Sequence, residues 1–369
     1  MLTSGALETA RHFYLEGIMR NKELYLESGY LDFNAIVDPD CPFAFVVGGR
    51  ATGKSFGALK WCKEHFDETG HPFIYMRRTK AQAELVATDI FNPYRPLNDL
   101  YGWNIEPFQV SKGVYGFYDS ITDQDGRKTP VGNYIGIIAS LTTFSNFRGF
   151  DGSNIDTIVY DEFIKNKGEK AIRDEGFSLM NVFETVNRNR EIIGGDPVKL
   201  ICLSNSNALG NDIFVDLGLV NAVEFMKKKH RNQYYDYGRG IAIYDLSDSK
   251  ISALKKNTAL YKLDAGGEYS AMALGNEFED YDRTNIKAVP IQEYKPLVVC
   301  GELCFYQHKS EHLYYCTTHI SGSPARYGAT AVEVTRFTRK YWHLWEAYLS
   351  ERVFFESFIC KSLFEKIFL

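Results

Sequence analysis

The sequence has no excess of basic charge. Its 42 lysines and arginines are outnumbered by 47 acids, giving a formal net charge of −5. Sequence-independent affinity for nucleic acid comes from cations that neutralise phosphates, so this balance excludes a protein that coats DNA or RNA, and any such contact must use local basic patches. Long apolar runs are missing too. No stretch approaches the roughly 18 consecutive apolar residues of a membrane span. The first thirty residues interleave Glu8, Arg11, Glu16, Arg20 and Lys22 with apolar positions, which excludes a signal-peptide core there. Seven cysteines are scattered over 369 residues without the dense spacing of a disulfide framework, a usage that suits a reducing compartment. There is no internal repeat and no low-complexity tract. With 45% hydrophobic and 15% aromatic residues, the chain is long and apolar enough for two domains.

The run from Phe43 to Ser55 carries the strongest local signal. Apolar residues fill Phe43 to Val47; Gly48, Gly49, Arg50, Ala51, Thr52, Gly53, Lys54 and Ser55 then complete G-x-x-x-x-G-K-S. This is the pattern of a phosphate-binding loop after a buried strand, in which backbone N–H groups curl around phosphate oxygens. Lys54 is expected at the β- and γ-phosphates and Ser55 on Mg²⁺. Phe56, Leu59, Cys62 and Phe66 follow at helical spacing and stop at Gly70, so the loop opens a helix whose N-terminus faces the anion.

Further along, apolar runs alternate with helical patterns. Residues 7–27 predict an amphipathic helix, Phe73–Met76 a strand, and 80–90 a helix terminated by Pro93 and Pro96. Residues 107–141 predict a hairpin or meander with a turn at Asp125–Gly126, Thr157–Tyr160 a buried strand, 174–191 a helix, and Lys199–Leu203 another buried strand. Such alternation implies an α/β domain with a mostly parallel sheet over residues 1–225, with its ligands at the strands' carboxyl ends. Residues 226–285 read as a linker or lid, because they turn mixed and polar and carry Gly266–Gly267 and the acidic positions Glu277, Glu279, Asp280 and Asp282. Residues 286–369 read as a smaller α+β domain, strand-like from Pro296 to Ile320 and helical from Arg336 to the end.

Asp161 ends the 157–160 strand, the expected place for a carboxylate that holds Mg²⁺, and Glu162 follows as a candidate general base for an attacking water. A strand ending in solvated acids would look the same locally; the phosphate loop upstream favours the catalytic reading. Ser204–Asn205 ends another core strand, where a polar side chain can sense the γ-phosphate, although Ser and Asn equally favour turns and caps. Arg188 and Arg190 lie between these strands on what charge alone reads as an exposed basic helix end; Arg50 and Arg148 are further cations. Arg77, Arg78, Lys80, Lys165, Lys167 and Lys170 are candidate contacts to a DNA backbone. Cys300, Cys304, Cys316 and His319 have a loosely ligand-like spacing that is not a standard zinc ribbon.

Gly48–Ser55, Phe73–Arg78, Thr157–Ile164, Arg188–Glu191 and Ile201–Asn205, in this order and spacing, resemble the genome-encapsidation ATPases of small short-tailed bacteriophages, relatives of the large terminase subunits. The resemblance covers roughly residues 40–215. It implies an ATPase of the additional-strand, catalytic-glutamate type that forms a ring, typically of five, at a procapsid's portal and drives double-stranded DNA inward. It would work in the host cytoplasm and be absent from the mature virion. By this resemblance Lys54 and Ser55 contact nucleotide and magnesium, Asp161 is the Walker B acid, Glu162 the catalytic base, Arg188 a finger acting in trans, and Ser204–Asn205 the coupling segment. A packaging RNA or a terminal protein is a possible further partner. Terminase relatives end in an RNase H-like nuclease, whose chemistry needs several acids around two metals. Here Leu313–Thr318 has no acid and 297–306 only Glu302, so a degenerate, nuclease-like domain without cleavage activity is expected. A terminase with an active nuclease, a helicase and a nucleotide-regulated structural switch are the alternatives; Asn166-Lys167-Gly168-Glu169 has the wrong acid for a guanine-reading element.

Overall fold

The structure is a computed structural model that describes residues 22–111, 113–147, 151–166, 169–205, 210–246, 249–255, 257–264 and 285–368. The chain divides into two compact units, one of residues 1–207 with 225–278, the other of 208–224 with 279–369. Most of the expected 7–27 helix, together with Arg148, Lys167 and the 277–282 acids, lies outside the described residues. Its last part is not helical: Tyr25 makes an antiparallel bridge with Leu31.

Among the described residues of the first unit, nine strands form one mixed sheet in the order β3-β4-β5-β2-β6-β7-β1-β9-β8. They are β1 (Phe43–Val47), β2 (Phe73–Arg77), β3 (Ile105–Ser111), β4 (Val114–Thr122), β5 (Lys128–Ser140), β6 (Thr157–Asp161), β7 (Lys199–Ser204), β8 (Gln233–Asp236) and β9 (Ile241–Asp245). From β5 to β9 the pairings are parallel, and antiparallel strands close both margins. The parallel strands read as unbroken apolar runs because both faces are covered; every residue of β6 is buried. β7 lies between β1 and β6, with Val47 opposite Ser204 and Asp161 opposite Leu203. Three carboxyl ends therefore stop at one level, where β1 enters the phosphate loop, β6 reaches Glu162 and β7 reaches Asn205.

Helix α1 (Lys54–Thr69) starts directly from that loop and stops at Gly70, whose φ of +74° lets the chain leave the helix left-handed. Its Ala58, Leu59 and Cys62 pack with Ala44 and Val46 of β1, Tyr75 of β2 and Val159 of β6 in one buried cluster. Burying a side chain such as Leu59 or Val46 contributes about 1.5–3 kcal/mol, so the core holds the loop by both its strand and its helix.

Three expectations change in this unit. The 80–90 helix is shorter: α2 (Lys80–Val86) has a capping box of Thr79 with Gln82, and Pro96 sits in the first turn of α3 (Arg95–Tyr101), where a missing N–H costs nothing, so it starts a helix rather than ending one. Helix α4 (Glu175–Asn187) stops before Arg188, with a 3₁₀ turn at Glu191–Ile193. The 226–285 segment is not simply a linker, since β8 and β9 complete the sheet and β9 pairs in parallel with β1.

Helices α5 (Asp212–Asp216) and α6 (Val220–Lys228) come next, then α7 (Lys250–Lys255) and α8 (Ala259–Asp264) after β9. The second unit has a five-stranded sheet in the order β13-β10-β11-β12-β14. The strands are β10 (Tyr294–Cys300), β11 (Leu303–His308), β12 (Tyr314–Thr317), β13 (Ala325–Tyr327) and β14 (Val353–Phe355). The antiparallel meander β10-β11-β12 matches the expected hairpin pattern. Helices α9 (Ala331–Lys340), α10 (Trp342–Leu349) and α11 (Phe358–Phe368) follow, with β14 breaking the expected helical stretch. The cysteines of this unit are buried and free, and the pleat separates them: Cys300 and Cys316 face one apolar cluster and Cys304 the other, while His319 is 82% exposed at its side chain. They do not converge on a metal, and among the described residues no group of three or more His, Cys, Asp or Glu could hold one.

Candidate active site

Close packing and local hydrogen bonds shape the phosphate loop. A Cβ on Gly48 would meet Leu246 Cβ at 2.6 Å, so only glycine fits there. Ala51 and Gly53 take left-handed backbone at φ +59° and +95°. Thr52 is fully buried; its Oγ1 donates to Gly49 O at 3.1 Å, and its own carbonyl accepts from Leu31 N at 2.9 Å. Lys54 is buried, and its Nζ donates to Gly48 O and Gly49 O, both at 2.9 Å. Burial lowers the Lys54 pKa to about 8, although Glu162 and Asp161 hold its charge in the opposite direction.

Ser55 lies on the first turn of α1, and its Oγ donates to Asp161 Oδ1 at 3.0 Å. The other carboxylate oxygen, Oδ2, accepts from Tyr75 OH at 2.5 Å and from Arg77 Nη1 at 3.2 Å. Asp161 is thus gripped by two residues of the neighbouring strand β2. Phe73–Arg78 stood out as a run, but nothing in it marked Tyr75 and Arg77 as partners of Asp161; the available signal was their alternation on one face of that run.

Glu162 follows at φ +58°, a left-handed conformation that a glutamate adopts at a cost and that turns it away from the strand. Asn205 Nδ2 donates to its Oε1, while Oε2 is buried without a hydrogen-bond partner. Burial raises the Glu162 pKa, Asp161 adds to the rise, and Arg77 and Lys54 oppose it. A buried carboxylate with one oxygen anchored and one open suits a proton acceptor whose pKa must approach neutrality. Ser55 and Asp161 offer a hydroxyl and a carboxylate, the hard oxygen donors that Mg²⁺ takes, so these residues fit a magnesium nucleotide.

The remaining cations separate. Arg78 is not at the surface: 1% exposed, it forms a fork with Glu175, Nε to Oε1 at 2.8 Å and Nη2 to Oε2 at 2.9 Å, and reaches Glu169 Oε2 at 2.7 Å. Tyr160 OH donates to the same Glu175 at 3.0 Å. Arg77 faces Asp161. Neither is available to DNA, because each is the counter-ion of a carboxylate beside the sheet. Lys80, Lys165 and Lys170 are exposed, Lys80 lying 3.4 Å from Glu84. Arg188 is exposed at the end of α4 with φ +47°, and its Nε donates to Thr185 O at 3.2 Å. Arg190 instead turns inward to Ser153 O and Ile155 O.

A family model, Podovirus DNA encapsidation protein (Gp16), matches residues 26–290. The DNA packaging proteins of Bacillus phages PZA and phi29 are each 30% identical over 236 residues, 63% of this chain and 61% of theirs. The chain thus aligns with less than two thirds of those relatives' length. The solved bacteriophage Phi-29 viral genome packaging motor assembly superposes with a TM-score of 0.60 at 22% identity, over 94% of this chain and 100% of that one, a likeness of fold.

Proposed function

The chain belongs to the podovirus DNA encapsidation protein (Gp16) family, and from that premise we propose that it is an ATP-hydrolysing motor subunit that drives double-stranded DNA into a procapsid through the portal vertex. One observation carries the enzymatic part: the 3.0 Å hydrogen bond of Ser55 to Asp161, with Glu162 next in the chain and buried Lys54 preceding Ser55. β7 between β1 and β6 supports the additional-strand type of ATPase.

Lys54 and the loop's backbone bind the triphosphate. Ser55 and Asp161 would hold Mg²⁺, which would supply positive charge to the phosphate oxygens. Tyr75 and Arg77 fix the rotamer of Asp161. Glu162 accepts the proton of the water that attacks the γ-phosphorus, and Asn205 anchors the carboxylate and carries its state towards β7. Arg188 of a neighbouring subunit neutralises transition-state charge. A neighbour's approach is supported by the 3₁₀ turn beyond Arg188, which presents Ile192 and Ile193 at 83% and 82% exposure. Lys80 and Lys165, with Lys167, are proposed to touch the DNA backbone. The second unit serves as a docking domain of degenerate nuclease ancestry.

The test is ATP turnover by wild type and Glu162→Gln, with and without double-stranded DNA and procapsids. We expect turnover stimulated by both and abolished by the substitution. Turnover indifferent to either addition would sink the packaging reading in favour of a helicase-like translocase.

A further inference from the structure

The segment after β9 is tied to the phosphate loop at successive points. Leu246 N donates to Val47 O at 2.8 Å, and its Cβ occupies the space above Gly48. Ser249 Oγ donates at 3.2 Å to the carbonyl of Gly29, two residues before Leu31, which itself bonds Thr52 O. Helix α7 then brings Lys255, 205 residues downstream of Arg50, to donate from its Nζ to the Arg50 carbonyl on the rim of the loop.

Arg50, Lys54 and Lys255 therefore meet at one loop, and they disfavour one another. Burial is the larger cause of the lowered Lys255 pKa, and the Arg50 charge adds to it. Asp161 and Glu162 offset Lys54 from the other side. A carbonyl is a weak partner for an ammonium, and three cations held together are a cost that an isolated loop does not need. A polyanion seated on the loop turns the same arrangement into an attraction.

We propose that Lys255 is a nucleotide-binding residue, a third cation for the phosphate chain of ATP and ADP supplied by the helix that follows β9. The proposal rests on the ATPase reading above. The flexible four-carbon stem lets the ammonium pass from the Arg50 carbonyl to a phosphate oxygen by side-chain rotation. Occupancy of the loop is thereby felt by α7.

The experiment measures equilibrium binding of MgATP and MgADP, with steady-state turnover and Tm, for wild type, Lys255→Ala, Lys255→Arg and Lys54→Ala over a salt series. We expect Lys255→Ala to weaken both nucleotides about tenfold and raise KM alike, with kcat within about twofold. Lys255→Arg should recover most of the loss, and the salt dependence of binding should flatten in the alanine variant. Binding by Lys255→Ala within twofold of wild type would overturn the proposal. So would an arginine variant as defective as alanine with a matching drop in Tm, which would make Lys255 a structural tie. Wild type that binds neither nucleotide would overturn the ATPase reading and this proposal with it.

Discussion

At the scale of single residues, Glu162 and Lys54 are each pushed towards neutrality from opposite sides. Glu162 titrates above the ordinary 4.5 because burial penalises its charge, so the base form appears later on raising pH, and the acid limb of kcat/KM should lie above that value. Lys54 loses its proton at about 8 in the free protein, so kcat/KM for MgATP should decline above about pH 8 instead of near 10.5. A kcat/KM profile flat to pH 10 would contradict this. The stability signs follow. A raised Glu162 pKa stabilises the fold below 4.5, and that contribution is lost as pH rises through the folded value. Glu162→Gln should accordingly have the higher Tm at pH 8, with the gap closing towards pH 4.5. For Lys54 the unfolded chain holds more protons between about 8 and 10.5, so stability rises across that window.

At the scale of elements, the Arg78 fork joins the end of β2 to the first turn of α4, while Tyr160 joins the same Glu175 to β6. Removing one partner leaves a buried, uncompensated charge, so Arg78→Ala should cost about 3–5 kcal/mol in denaturant unfolding. Lys at this position should recover little, since the fork is bidentate; full recovery would mean that charge alone matters. The elements also show what pattern could reveal. β1, β6 and β7 were legible because runs of five, three and four consecutive apolar residues between turn signals read as buried strands of an α/β sheet. β9 is as apolar, but it sits in polar surroundings, and its partner β1 lies about two hundred residues upstream, a pairing that leaves no local trace. Arg77 and Arg78 looked like a basic patch for the same reason: Glu175 is 97 positions from Arg78 and Asp161 84 from Arg77. The Gly48–Ser55 and Thr157–Ile164 runs were readable because each is a short run of fixed order; that Tyr75, Arg77 and Lys255 bond to them was not, since those residues come from separate elements.

At the scale of the molecule, an exposed Arg188 on a strained backbone should serve a neighbour's nucleotide. Mixing Arg188→Ala subunits with Glu162→Gln subunits should restore part of the turnover that each lacks alone. No recovery in rings shown to assemble would argue against action in trans. The sheet order bears on how the molecule comes to exist. β1, residues 43–47, stands between strands built from residues 199–204 and 241–245. During synthesis the chain emerges from its amino end, so Phe-Ala-Phe-Val-Val is in water, bare on both edges, long before either neighbour has been made. An uncharged, aromatic-rich strand in that state readily pairs with other nascent chains. The strand that leads into the Gly48–Ser55 loop therefore gains its last neighbour late, once residue 245 has left the ribosome, and the wait exposes it to misassembly.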